Sequence, residues 1–266
     1  MNKFAAILYD SFLEIKDRKI FYFYWLVAAA VVVAFALLPS LRINGQDILE
    51  SNLIDRATAD ALVARFFDGF LGFVIFLLVF GSAGLAPSFL SKGRVELVLS
   101  KPIDRWRLLS MKFLGVYLVK AVVLAVVAAS VWLTISIRLG MFNWGFVLGM
   151  LFACLEFLIV YAIVFFFGVL TNSAAAAIMG YFIIRIGSDL LAGRKVLYQF
   201  LGEGSLWTTV LDGLYHISPK IGEMSKNLVP IMTGKGITDY YPIWSTILIA
   251  AVFFLATLLY FNRKDY

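Results

Sequence analysis

The sequence is poor in the residues that build hydrolytic and metal sites. Its 266 residues include one cysteine, Cys154, and one histidine, His216. A lone cysteine closes no intramolecular disulfide, and neither residue has the spaced partners of a zinc site. No Gly-x-x-x-x-Gly-Lys-Ser/Thr loop occurs; Gly234-Lys235-Gly236 is too short to cradle a phosphate. Charge is scarce too: Asp, Glu, Lys and Arg make up 15% of the chain, against about 25% in soluble domains. No convergent catalytic set is found, so the expectation is a non-enzyme with no metal and no cofactor of its own.

What is abundant is apolar. Hydrophobic residues reach 62% and the mean hydropathy is +0.91, which points to an all-α membrane protein with no room for a separate soluble catalytic domain. The net charge of +6 does not imply nucleic-acid binding. The basic residues cluster at the ends of apolar runs, where the cytoplasmic bias of Lys and Arg accounts for them.

Residues 3–19 are too polar to cross a bilayer. At 100° per residue, Phe4, Ile7, Leu8, Phe12 and Ile15 share one face, with Lys3, Asp10, Glu14, Lys16 and Asp17 opposite. That pattern predicts an amphipathic helix lying in the membrane interface. Ala34-Phe-Ala36 resembles a signal-peptidase site, but the preceding apolar run is longer than an h-region of about 7–15 residues and acids lie before it. It reads as a retained first span.

Six spans are expected, at 20–38, 69–87, 113–137, 141–170, 174–191 and 243–261, in one transmembrane domain covering 1–266. Between the first two, Asn44-Gly45 marks a turn, and Ala-rich Asp55 to Arg65 reads as a short surface helix. Thr171-Asn172-Ser173 is short enough to make spans four and five antiparallel neighbours. The segment 192–241 is not one span. Its apolar pieces, Val196 to Leu201, Leu206 to Leu214 and Leu228 to Met232, predict short amphipathic or re-entrant helices on the extracytoplasmic side. No internal repeat is evident, which argues against an inverted-repeat transporter.

Six spans put both termini on one side. With the termini and segment 88–112 cytoplasmic, that side carries twelve basic residues against nine on the other, most of the nine in long loops that count less. The expected location is a bacterial plasma membrane with both termini inside.

Segment 88–112 is the densest block of charge. It holds six of the 23 basic residues: Lys92, Arg94, Lys101, Arg105, Arg107 and Lys112. Glu96 to Leu99 suggests a short surface helix, broken at Ser100-Lys101-Pro102, where proline removes a donor and restricts the residue before it. An ordinary basic loop would satisfy the same composition, whereas a rigid elbow between two spans could carry force.

The pattern Gly93-x-x-Glu96-x-x-Leu99-Ser100-Lys101-Pro102-x-x-Arg105, followed by Lys112-Phe-Leu-Gly115, resembles the hinge between spans two and three of ABC transporter permeases of the type 2 exporter family, including the NosY-like subunits. Phe261-x-Arg263-Lys264-Asp265 is similar to that family's terminus, and Tyr215-His-Ile-Ser-Pro219 to its extracytoplasmic segment. Ser91-Lys92-Gly93-Arg94 departs from the family's usual acid before the glycine and threonine after it.

The resemblance implies the type 2 exporter fold. It also implies that a second permease copy, making a homodimer, and two copies of a cytoplasmic ABC ATPase complete the transporter. ATP and magnesium would sit on that partner. Lys92, Gly93, Arg94, Glu96, Ser100, Lys101, Pro102 and Arg105 become the candidate coupling residues. An extracytoplasmic protein is a further candidate partner, since the same subunit could pass ATPase motion outward without moving a solute.

Ionisable residues inside spans are costly and usually paired or functional. Lys120 is placed to snorkel toward the cytoplasmic face. Glu156 lies 14 residues before Leu170 and Arg185 13 after Asn172, about 21 and 20 Å from the same end. Matched depth predicts a Glu156–Arg185 pair with Asp189 as second acceptor, either fixing the packing of two spans or lining a polar path. Gly145-x-x-x-Gly149 and Ala174 to Ala177 favour close helix approach.

Overall fold

The computed structural model describes residues 3–17, 19–37, 42–43, 46–47, 56–91, 93, 104–139, 142–201 and 206–264. Among them are twelve helices and one pair of two-residue strands. Helix α1 is Lys3–Lys16 and α2 is Lys19–Leu37. Strands Arg42–Ile43 and Gln46–Asp47 pair antiparallel, Ile43 opposite Gln46. The predicted turn at Asn44-Gly45 lies outside the described residues.

Helix α3 runs Arg56–Ala83 and α4 Leu85–Phe89. The expected surface helix at 55–65 is thus the start of α3, because nothing between Ala57 and Phe70 breaks a helix except Gly69. The break comes at Gly84. Pro87 has no N–H for the Ala83 carbonyl, and its ring crowds that oxygen; the ladder resumes with Ser88 N–H donating to Gly84 O at 3.2 Å.

Helix α5 spans Arg105–Leu139, α6 Gly145–Thr171 and α7 Ala174–Ala192. The α6–α7 turn is as short as expected. Asn172 takes the left-handed conformation at φ 52°, and the Ser173 hydroxyl accepts from Ala176 N–H at 3.4 Å, which caps both helix ends. Beyond α7 come α8 (Arg194–Leu201), α9 (Leu206–Ile217), α10 (Ile221–Ser225) and α11 (Leu228–Met232), then α12 (Tyr241–Arg263). The apolar pieces read from 192–241 fall on α8, α9 and α11.

Among the described residues, five helices are long and apolar enough to cross a membrane: Asp60–Phe89, Arg105–Ile137, Gly145–Thr171, Ala174–Ala192 and Tyr241–Arg263. The first expected span contributes a shorter apolar stretch, Phe21–Ala34. The chain is therefore an all-α protein of the membrane-embedded kind. Its centre is α6, buried on every side from Ile159 through Phe165, as a helix enclosed by others must be. Phe113 of α5 stacks on Tyr161 of α6 at 4.9 Å and meets Phe254 of α12 at 4.6 Å, so one aromatic node joins three spans.

The Gly145-x-x-x-Gly149 pair serves close approach, though its partner is a short helix and not another span. A Cβ at Gly145 would strike the Met232 carbonyl, and one at Gly149 would lie 2.7 Å from Met232 Cε. Buried Asn227 sets α10 and α11 in place. Its amide oxygen accepts from Thr238 and Asp239 N–H at 2.9 and 3.1 Å, and its nitrogen donates to Asp239 and Met224 carbonyls.

The two glycines should respond differently to alanine. At Gly149 the obstacle is a flexible side chain, so Met232→Ala should recover most of the loss caused by Gly149→Ala. At Gly145 it is backbone, so the same partner change should recover little of a loss of about 1–3 kcal/mol. Thermal unfolding of the four variants in detergent measures this; equal rescue at both sites would contradict the packing.

Candidate functional site

The basic segment opens from the end of the bundle where α4 stops, α5 begins and α12 ends. Lys92, Arg94, Glu96, Ser100, Lys101 and Pro102 lie outside the described residues, as does the predicted surface helix at 96–99. Gly93 and Arg105 are described. Gly93 has φ 84° with open space around its Cα. Its place in the motif follows from a left-handed backbone that a Cβ would strain, and not from crowding.

Arg105 reaches across the chain. Its Nη1 donates to Lys264 O at 3.0 Å, so a guanidinium sits on the carbonyl end of α12, where the helix dipole favours a cation. The first turn of α5 and the terminal Phe261-x-Arg263-Lys264 stretch, 159 residues apart, form one corner. Tyr260 extends it by donating from its hydroxyl to Leu170 O of α6 at 3.4 Å.

The stronger tie is one the sequence reading did not assign. Lys112, about two turns deeper in α5, is 1% exposed. Its Nζ donates to Asp10 Oδ2 at 3.0 Å and Glu14 Oε2 at 2.9 Å, both on α1. Ser88 of α4 donates to the other Glu14 oxygen at 2.5 Å. Three residues on, Gly115 lets α1 lie against α5: a Cβ there would be 3.1 Å from Ser11 Oγ and 3.6 Å from Leu8 Cα. Lys112-Phe-Leu-Gly115 thus provides a charge and a gap on one face of α5, and α1 fills both.

The expected amphipathic helix also has a protein-facing side. Its buried side is Ser11, Glu14 and Ile15, whereas Phe12 and Leu13 are more than a third exposed. Glu14, expected opposite the apolar face, turns toward Lys112, whereas Asp10 reaches the same lysine with its side chain still 57% exposed. The available signal was two acids four residues apart on a helix beside a membrane, which is a ready acceptor pair for a lysine at a span end.

Lys120 does not snorkel. It is fully buried, donates to Tyr24 OH at 2.9 Å and lies 4.6 Å from that ring; Tyr24 in turn donates to Leu77 O at 3.3 Å. That chain joins α5, α2 and α3.

The expected Glu156–Arg185 pair takes another form. Glu156, 7% exposed, accepts from Ser225 Oγ of α10 at 2.5 Å. Arg185 instead pairs along its own helix with Asp189, Nε to Oδ2 at 3.2 Å. The reason is α10, which is wedged between the two spans. Gly222 packs against the Asp189 carboxylate, and Ser188 donates to the Pro219 carbonyl. Matched depth on two adjacent spans carries no information about this third body.

At the opposite end of the bundle, Arg194 Nε donates to Asp212 at 2.7 Å and Tyr198 OH to the same carboxylate at 2.6 Å. The Tyr198 bond, then the Arg194 bond, holds the Asp212 carboxyl below its ordinary range. Burial, then the bond to Glu223, pushes the Tyr215 hydroxyl up to about 12. Burial lowers Lys220, which sits over the Tyr215 and Tyr241 rings at 4.5 and 4.9 Å.

No family model matches the chain, and no curated protein matches it.

Removing the buried cation should be costlier than removing the whole pair. Lys112→Ala leaves Glu14 buried with a lost partner and should cost about 3–5 kcal/mol. Lys112→Met combined with Glu14→Met should be much closer to wild type. Chemical denaturation in detergent measures both; a double variant as unstable as the single one would contradict the account.

Proposed function

We propose that this chain is the transmembrane permease subunit of an ABC-type exporter, working as a homodimer with two cytoplasmic ATPase subunits. The observation that carries the reading is the Lys112 tie. It gathers α1, α4 and α5 into one body at the end of the bundle where segment 88–112 emerges. A force applied to that segment would reach α3 through α4, α5 directly, and α1 through the ion pairs. Loose basic loops have no such attachment, and this favours the elbow over a segment that only sets sidedness.

In this reading all six spans cross the membrane, α2 included, with both termini in the cytoplasm of a bacterium. The chain is not itself an enzyme. ATP and magnesium belong to the partner, and Lys92, Gly93, Arg94, Glu96, Ser100, Lys101, Pro102 and Arg105 form the surface offered to it. Arg105 has a second duty in capping α12, so coupling would also reach the last span. Support for a second copy comes from α3. Leu62, Phe66, Gly69, Phe73, Phe76 and Phe80 are exposed at alternating steps of four and three, the spacing of a helix–helix seam.

One observation favours the alternative of a subunit that passes motion outward without moving a solute. The outer helices are bonded to two spans at once: Pro219 O accepts from Ser188 of α7, and Lys220 N–H donates to Thr246 Oγ1 of α12 at 2.9 Å. Movement of either span would displace them.

Affinity purification of the tagged chain from its native membrane should recover an ABC ATPase. Glu96→Ala and Arg94→Ala should reduce that recovery several-fold with unchanged amounts of the chain itself. Recovery of no ATPase, or equal recovery from both variants, would refute the coupling role.

A further inference from the structure

Helix α9 carries three distinct sectors. At 100° per residue, Gly213, Leu206, Ile217, Val210, Leu214 and Trp207 fall within an arc of about 120°. None of the six is charged, and all are exposed: Leu206 by 84%, Ile217 by 74%, Trp207 by 66%, Val210 and Leu214 by 50%. Thr208 and Tyr215 point the other way and are buried. Thr209 and His216 form a third, polar and exposed sector. A helix that packs on one side, faces water on another and bares an apolar strip on the third needs something apolar against that strip.

The level of α9 is set by its bonds. Asp212 is tied to Arg194, two residues past the end of α7. His216 Nδ1 lies 2.5 Å from the hydroxyl of Tyr241, the first residue of α12. Both attachments are to the outer ends of spans. Exposed aromatics mark the same end: Tyr240, Tyr241 and Trp244 at the start of α12, and Phe142 and Trp144 at the start of α6. Tyr and Trp concentrate at the membrane boundary. The apolar strip of α9 continues that girdle.

We infer that α9 is an interfacial helix whose Leu206–Val210–Leu214–Ile217 strip is seated in the outer-leaflet lipid. An uncharged strip of aliphatic side chains, with a polar sector left for water, is what a helix at the boundary of headgroups and acyl chains presents. The helix is clamped to α7 through Asp212–Arg194 and to α12 through His216–Tyr241, so the lipid surface gains a grip on two spans. This rests on the chain being membrane-embedded and, for the choice of leaflet, on the proposed orientation with both termini inside; it stands whether or not an ATPase drives it.

Single cysteines at Val210, Ile217 and Thr209 in a Cys154→Ser background test it. Each is labelled with bimane in the full-length protein, reconstituted in vesicles of equal parts phosphatidylethanolamine and phosphatidylglycerol. Quenching is measured with shallow doxyl-labelled phosphatidylcholine in the bilayer and with iodide in the water. Labels at 210 and 217 should be quenched by doxyl lipid roughly twofold or more above the label at 209, with iodide giving the reverse order. Independently, the tryptophan fluorescence lost on Trp207→Phe should be a doxyl-quenched component, a readout that needs no cysteine variant. Labels at 210 and 217 that escape doxyl lipid overturn the inference. Iodide access would then place the strip in water, and resistance to both quenchers would place it under a second copy or another protein.

Discussion

A lysine that cannot reach water organises the end of the bundle where α4 stops and α5 begins. Lys112 is buried on the flank of a span, and an ammonium there must be neutralised locally or the helix would not stay where it is. Glu14 does most of this, being itself nearly enclosed, while the more exposed Asp10 contributes little by comparison. The constraint acts in both directions. The charge demands α1, and α1 in place demands Gly115, because its backbone passes too close to α5 for any side chain at that position. Ser88 then reads the position of Glu14 from α4. Three helices that also share one apolar core are thereby held in one register.

The opposite end of the bundle is assembled on other principles. There neutral hydrogen bonds to backbone, as at Asn227, Ser188 and Thr246, act beside the partly exposed Arg194–Asp212 pair, with α10 and α11 filling space that glycines leave open. A neutral hydrogen bond is worth about 0.5–1.5 kcal/mol net, less than breaking a buried ion pair costs. In the proposed coupling, the corner at Lys112 would transmit force and the helices beyond α7 would follow the spans to which they are bonded.

Much of the architecture was legible in the sequence because membrane spans announce themselves by length and hydrophobicity. The α6–α7 turn, the short helices beyond α7 and the end at Arg263 all follow from apolar runs and their breakers. Boundaries failed where the sequence holds no breaker: α3 runs a dozen residues earlier than its apolar core, and α5 starts eight residues ahead of its own. The site was harder. Lys112 stood inside a recognised motif, yet its partners lie about a hundred residues away on a helix whose charged side pointed, by amphipathic logic, to water. That logic counts apolar residues and cannot tell an acid facing solvent from one facing a buried lysine. Glu156 and Arg185 illustrate the same limit. Matched depth is a one-dimensional argument, and α10 enters from a second dimension.

Length gives the last step. Helix α5 has 35 residues, about 52 Å at 1.5 Å per residue, against a hydrocarbon core of ~30 Å. It must project beyond the membrane. Lys112 clamps it to α1 seven residues from its start, about 10 Å along the axis. The turns before the clamp, from Arg105, are therefore a stub fixed at its base by ion pairs and bonded at its tip to the end of α12. In the proposed coupling, segment 88–112 pulls on that stub. The clamp turns the pull into a tilt of α5 as a rod, with Lys120 and Tyr24 carrying it to α2 and α3 farther along. A flexible join at position 112 would absorb the same displacement locally, so the ion pair is what makes a long helix useful as a lever.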